Sequence, residues 1–201
     1  MPCNTAKITQ ILDVRNQDLY WTSIEIAAKA LRNGGIVAFP TETVYGLGVH
    51  KDNPKKRPAE KRLTLMIADI GEVELYAGAV SDVAKRLMES FWPGPLAIIF
   101  PLKDGSDICV RLPDNAIARD LIRTANIPVA TTSANTSGHP PSTDASQVTA
   151  YFKDEIDFIL DGGPTPSHEP STVVKIKDGV CEVVRHGIIP ETTIRNCLKK
   201  Y

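Results

Sequence analysis

The feature that most narrows the folds open to this chain is a set of short, uninterrupted apolar runs, of which Ile36-Val37-Ala38-Phe39, stopped by Pro40, is the clearest. A strand with one wet face alternates polar and apolar side chains. A run without alternation reads as a strand covered on both faces, as in a sheet sandwiched between helices. Leu96 to Phe100 is a second such run, after the turn-rich Trp92-Pro93-Gly94-Pro95, and Leu63 to Ala68, Pro128 to Thr132 and Ile156 to Leu160 are further predicted strands. Helical segments stand between them. Ser23 reads as the N-cap of a helix carrying Ile24, Ala27, Ala28 and Leu31 at helical spacing and stopping at Gly34-Gly35. Ser81 to Ser90, Asn115 to Thr124, and a segment capped by Asp144 that runs to Phe152 follow the same logic. Near the end, Thr172 to Ile176 and Val180 to Arg185 flank Asp178-Gly179, a two-residue hairpin signal that needs positive φ. The expected architecture is an α/β domain on a twisted, open, mixed sheet flanked by helices. A length of 201 residues, 42% of them hydrophobic, suits a single domain over residues 1–201 with a short helical tail from Glu191 to Lys200.

Composition then excludes several classes. No run approaches the roughly 18 apolar residues of a membrane helix, and Met1 to Thr22 lacks the layout of a secretory signal, so a soluble, cytoplasmic protein is expected. Cys3, Cys109, Cys181 and Cys197 form no C-x-x-C pair, which leaves reduced, structural thiols rather than a protein-ligated metal. Formal net charge is −1, yet Lys51, Lys55, Lys56, Arg57, Lys61 and Arg62 face only Asp52 and Glu60 within one segment. By itself such a cluster is as well read as a solvated loop.

The phosphate loop G-x-x-x-x-G-K-[ST], the zinc motif H-E-x-x-H and the nucleophile elbow G-x-S-x-G are all absent. Gly46-Leu47-Gly48 opens like a dinucleotide fingerprint, but Lys51 stands where the third glycine belongs, and the glycines are expected to permit a tight turn. What remains is polar loops at the ends of predicted strands, where open α/β sheets bind ligands. Pro40-Thr41-Glu42-Thr43 follows one strand, and Thr131-Thr132-Ser133-Ala134-Asn135-Thr136-Ser137-Gly138 follows another. Singly, each loop is an ordinary connection. Together they suggest one cleft, with Lys55, Arg57 and Lys61 as donors for a polyphosphate and Arg111 and Arg185, each closing an apolar run, as forks for a carboxylate or phosphate. A lone strand arginine is otherwise most often a surface residue.

Six segments in order carry a resemblance: G-G-I-V-A-F-P-T-E-T-V-Y-G-L-G (Gly34 to Gly48), K-K-R-P (Lys55 to Pro58), W-P-G-P (Trp92 to Pro95), V-R-L-P (Val110 to Pro113), S-A-N-T-S-G (Ser133 to Gly138) and S-T-V-V (Ser171 to Val174). In this arrangement the chain resembles the YrdC-type threonylcarbamoyl-adenylate synthase family from about Ile24 to Gly187. The resemblance implies a twisted open sheet with a basic concave face, and a reaction joining L-threonine, bicarbonate and ATP into threonylcarbamoyl-AMP and pyrophosphate for tRNA modification. It implies Thr43, Arg111 and Ser171 around threonine, and Lys55, Arg57, Lys61, Ser133, Asn135, Thr143 and Arg185 around ATP, with Lys55 and Arg57 closest to the chemistry. Magnesium is expected with the ATP, and tRNA and a downstream threonylcarbamoyl transferase are the expected macromolecular partners.

Two departures stand out. Many family members have Asn-Pro after K-x-R-P and a histidine shortly beyond, where this chain has Lys61-Arg62 and Met66, so threonine is expected to be held without the histidine. Between Gly48 and Lys55 there is no room for the helix the family usually carries: either the helix is deleted and the sheet loses cover on one face, or the sequence omits a mobile stretch there. Competing readings are a non-catalytic RNA-binding module built on Lys51 to Arg62 and a carbamoyl-adenylate-forming domain of hydrogenase maturation proteins, whose zinc motifs are absent from this sequence.

Overall fold

Both uninterrupted runs become strands of one open mixed sheet in the computed structural model, which describes residues 8–53, 63–78, 80–177 and 179–199. In chain order the elements are β1 (Gln10–Asp13), α1 (Gln17–Arg32), β2 (Val37–Phe39), β3 (Gly46–His50) and β4 (Thr64–Met66). A 3-10 turn at Ile70–Glu72 leads into α2 (Val73–Ala77), then α3 (Asp82–Phe91), β5 (Leu96–Pro101), β6 (Asp107–Arg111), α4 (Ala116–Ala125) and β7 (Val129–Ser133). The chain ends through α5 (Ala145–Phe152), β8 (Phe158–Asp161), β9 (Thr172–Lys177), β10 (Val180–Arg185) and α6 (Glu191–Lys199). The strands lie in the order β1-β8-β2-β3-β7-β4-β6-β5-β9-β10, with β7 antiparallel to both of its neighbours.

Helices cover both faces, as the unalternating runs require. On one face, α1 and α4 bring Ile24, Leu31 and Leu121 onto Val37, Phe39, Val129 and Leu160. On the other, Val148 of α5 packs with Ala38 and Ile159, while Leu87 of α3 and Ile194 of α6 meet Leu96, Ile98, Val110 and Val174. Leu31, Leu87 and Leu121 are fully buried, a state that stabilises by about 1.5–3 kcal/mol per side chain. Beside α5 on that second face, Leu47, Val49, Leu63 and Leu65 line two grooves of about 190 and 240 Å³, with Phe152 at the end of α5 lining the smaller.

Two sequence expectations are corrected. Ser23 is not an N-cap: α1 starts two turns earlier at Asn16, whose side chain accepts the Asp18 N–H, and Ser23 is buried inside the helix. Gly46 and Gly48 do not form a turn; they lie in β3 between β2 and β7, neither at positive φ. The hairpin of β9 and β10 forms as expected with Gly179 at φ +76, and Asp178 lies outside the described residues. Among the described residues Cys109, Cys181 and Cys197 form no disulfide. Among the described residues no helix is long and apolar enough to cross a membrane.

Candidate active site

Strand register builds the floor of the site. Gly46 of β3 stands opposite Ser133 of β7, Thr64 of β4 opposite Thr131 of β7, and Met66 of β4 beside Arg111 of β6. These side chains line a cavity of about 60 Å³, completed by Thr41, Thr43, Val44 and Tyr45 after β2, by Pro170 and Ser171 before β9, and by Arg185 at the end of β10. Glycine in β3 is what lets the floor close up. A Cβ on Gly46 would lie 2.6 Å from Thr131 Cγ2, and one on Gly48 2.7 Å from Phe39 Cε1. A larger groove of about 460 Å³ lies between α3 and α6 and contains none of the predicted site residues.

Arg111 is the best-anchored charge in the cavity. Although it closes a strand, it is only 4% exposed, contrary to the usual fate of such arginines. Its Nε donates to the Gly94 carbonyl at 3.2 Å and its Nη2 to Thr43 Oγ1 at 3.1 Å, and Nη2 lies 2.7 Å from Glu42 Oε1. Nη1 has no protein partner among the described residues. Arg185 is held in a similar way: Nε and Nη2 donate to the Ser171 carbonyl at 3.2 and 2.7 Å, and Nη2 also to Ser171 Oγ at 2.9 Å. Burial pulls the Arg185 guanidinium below its ordinary pKa, and neighbouring Arg111 pulls it further. Two cations that disfavour each other beside one cavity are relieved by an anion between them.

The loops are fixed by their own hydroxyls. Thr41 Oγ1 donates to the Val44 carbonyl at 2.7 Å and accepts the Thr43 N–H at 3.1 Å, which folds the polar loop after β2 back on itself. Tyr45 exchanges backbone bonds with Ala134 and Ser142, and its hydroxyl donates to the Gly163 carbonyl at 2.7 Å. Ser133 Oγ donates to Asn135 Oδ1 at 2.6 Å, and the Asn135 amide donates to the carbonyls of Thr136 and His139, stapling the loop after β7. Thr131 Oγ1 is sealed from solvent with no hydrogen-bond partner among the described residues, although the residue lines the cavity. An unmade buried bond of this kind costs on the order of 1–3 kcal/mol.

Of the residues singled out in the sequence, Thr43, Arg111, Ser133, Ser171 and Arg185 meet at this cavity. Asn135 stands one hydrogen bond behind Ser133. Thr143 does not line the cavity; it is buried behind it, its N–H donating to Gln147 Oε1 and its carbonyl accepting the Thr165 N–H. Lys55, Arg57 and Lys61 lie outside the described residues, and with them most of the expected basic face. Among the described residues no three of His, Cys, Asp and Glu gather as metal ligands. Sequence reasoning missed Thr64, Tyr45 and Glu42. Only strand register reveals Thr64, whereas Tyr45 and Glu42 stood inside a quoted motif without a signal of their own.

The profile of the Sua5/YciO/YrdC family, described as "Telomere recombination", matches residues 29–187. The chain belongs to the Sua5/YciO/YrdC family. Curated relatives in this family include a threonylcarbamoyl-AMP synthase of Bacillus subtilis, 38% identical over 187 residues, covering 84% of this chain and 54% of the relative. A threonylcarbamoyl-AMP synthase of Pyrococcus abyssi is 37% identical over 201 residues, covering 91% of this chain and 59% of the relative. The crystal structure of P. abyssi Sua5 complexed with L-threonine superposes with a TM-score of 0.85 at 34% identity, over 96% of this chain and 61% of that one. This Sua5/YciO/YrdC chain thus spans little more than half the length of these relatives.

Proposed function

We propose that the chain is a threonylcarbamoyl-AMP synthase, joining L-threonine, bicarbonate and ATP with release of pyrophosphate and water. The observation that carries this reading is the convergence of Thr43, Arg111, Ser133, Ser171 and Arg185, drawn from distant parts of the chain, on one cavity. The relatives' names and the threonine-bound Sua5 structure support it.

The chemistry asks for positioning and charge, and for no protein nucleophile. The threonine amine attacks the bicarbonate carbon, water leaves, and a carbamate oxygen then attacks the α-phosphorus while pyrophosphate departs. Arg111 would take the threonine carboxylate on Nη1, with Thr43 and Ser171 as hydroxyl partners beside it. Ser133, with Asn135 behind it, and Arg185 would face the nucleotide. Lys55, Arg57 and Lys61 would offset the charge of the triphosphate and leaving pyrophosphate. Thr143 would act on ATP through the loop it anchors. Magnesium would accompany the ATP and offset charge on its phosphates. The product would pass to a transferase that acts on tRNA.

Pyrophosphate release is the direct assay, and it is expected only when ATP, threonine and bicarbonate are all present. Threonine-independent release overturns the reading. Arg57→Ala is expected to weaken ATP binding by about 1–3 kcal/mol, the loss of a charge-assisted contact, measured by titration calorimetry.

A further inference from the structure

Arg111 is steadied from behind by a carboxylate that none of the assigned substrate contacts includes. Glu42, in the loop after β2, has a side chain 14% exposed and brings Oε1 to 2.7 Å from Arg111 Nη2. The two groups meet out of line for a hydrogen bond, so both Glu42 oxygens are sealed from solvent with no hydrogen-bond partner among the described residues. A carboxylate in that state is unfavourable unless a charge beside it compensates, and Arg111 is the cation that does so. Glu42 itself does not line the cavity.

We propose that Glu42 is a positioning residue for amino-acid recognition, holding Arg111 so that its unpaired Nη1 edge is presented to the substrate carboxylate. A planar guanidinium is oriented only when its other edges are fixed. Gly94 fixes Nε and Thr43 fixes Nη2, each through one bond to a neutral acceptor. Glu42 adds the charged contact on Nη2. It also offsets the Arg111 charge before substrate arrives, so that Arg111 and Arg185 do not face an empty cavity as two uncompensated cations. Its contribution is therefore to direction, and it falls on the carboxylate end of the amino acid alone.

The inference rests on the synthase reading and is tested by comparing L-threonine with L-threonine amide, which keeps the reacting amine but lacks the carboxylate. In the unsubstituted protein, kcat/KM is expected to favour threonine strongly. In Glu42→Gln that preference is expected to shrink by about tenfold, the worth of one charge-assisted bond, while the KM for ATP stays within about twofold of the starting value. A merely structural role would lower both substrates together and leave their ratio alone. An unchanged ratio in Glu42→Gln overturns the inference while leaving the synthase reading intact. Failure of the unsubstituted protein to prefer threonine means that the carboxylate is not read and overturns this inference, whereas pyrophosphate release that needs neither amine overturns the synthase reading. If Glu42→Gln does not fold, Glu42→Asp, which keeps the charge but draws it back from Nη2, takes its place: a reduced preference supports the inference and an unchanged one overturns it.

Discussion

Gly46 is the residue at which one methyl group would do the most damage. A Cβ there must displace Thr131 Cγ2 from 2.6 Å, and Thr131 forms part of the cavity wall. Gly46→Ala is expected to cost about 1–3 kcal/mol in a urea melt, as overpacking does, and to raise the threonine KM in the same variant. Cys181 offers a contrasting test. Burial pushes its thiol up to about 11, so it carries little thiolate at pH 8 and should be alkylated slowly in the native protein and quickly in denaturant, read by mass spectrometry. The residues that the sequence made legible are those whose chemistry is local: hydroxyls clustered after a strand, and arginines closing apolar runs. Glu42 and Thr64 were not, because what marks them is a neighbour far along the chain: Arg111 for Glu42, and Thr131 for Thr64.

At the scale of single elements, caps were the most readable signals. Ser81, Asn115 and Asp144 each accept a backbone N–H at the start of α3, α4 and α5, as their residue types and following apolar spacing predict. Asp144→Ala should cost about 1 kcal/mol at neutral pH. The Asp144 carboxyl is held below its usual pKa, first by the Ser146 hydroxyl and then by the Gln147 N–H. A depressed carboxylate stabilises fully above its unfolded value of about 3.9 and loses that contribution as pH falls through the folded value. The gap between the two proteins in urea midpoints should accordingly be present at pH 7 and narrow below about pH 4. The start of α1 was misread because Ser23 precedes a clean apolar period, while the true first turns carry Tyr20 and Trp21, whose partners lie elsewhere: Tyr20 donates to Asp120 of α4 at 2.8 Å. Strand β3 was hidden by its glycines, which are poor strand formers and are needed here only because Thr131 and Phe39 come so close.

Over the whole molecule, βα alternation and the terminal hairpin were enough to anticipate a mixed sheet with helices on both faces. Strand order was not legible, since it depends on pairings between segments as distant as β3 and β7. A ligand that binds only the folded protein adds about 2.7 kcal/mol when present at a hundred times its Kd, which for a chain of this size raises Tm by roughly 5–10 °C. Saturating L-threonine is expected to give a shift of that order, with a smaller one in Arg111→Ala, read by scanning calorimetry. Strand β7 joins β1, β8, β2 and β3 on one side to β4, β6, β5, β9 and β10 on the other. Its Thr131 and Ser133 also form part of the cavity floor. During synthesis, therefore, the ribosome must deliver the chain through Ser133 before the floor of this cavity can close, and even then Ser171 and Arg185 have yet to emerge.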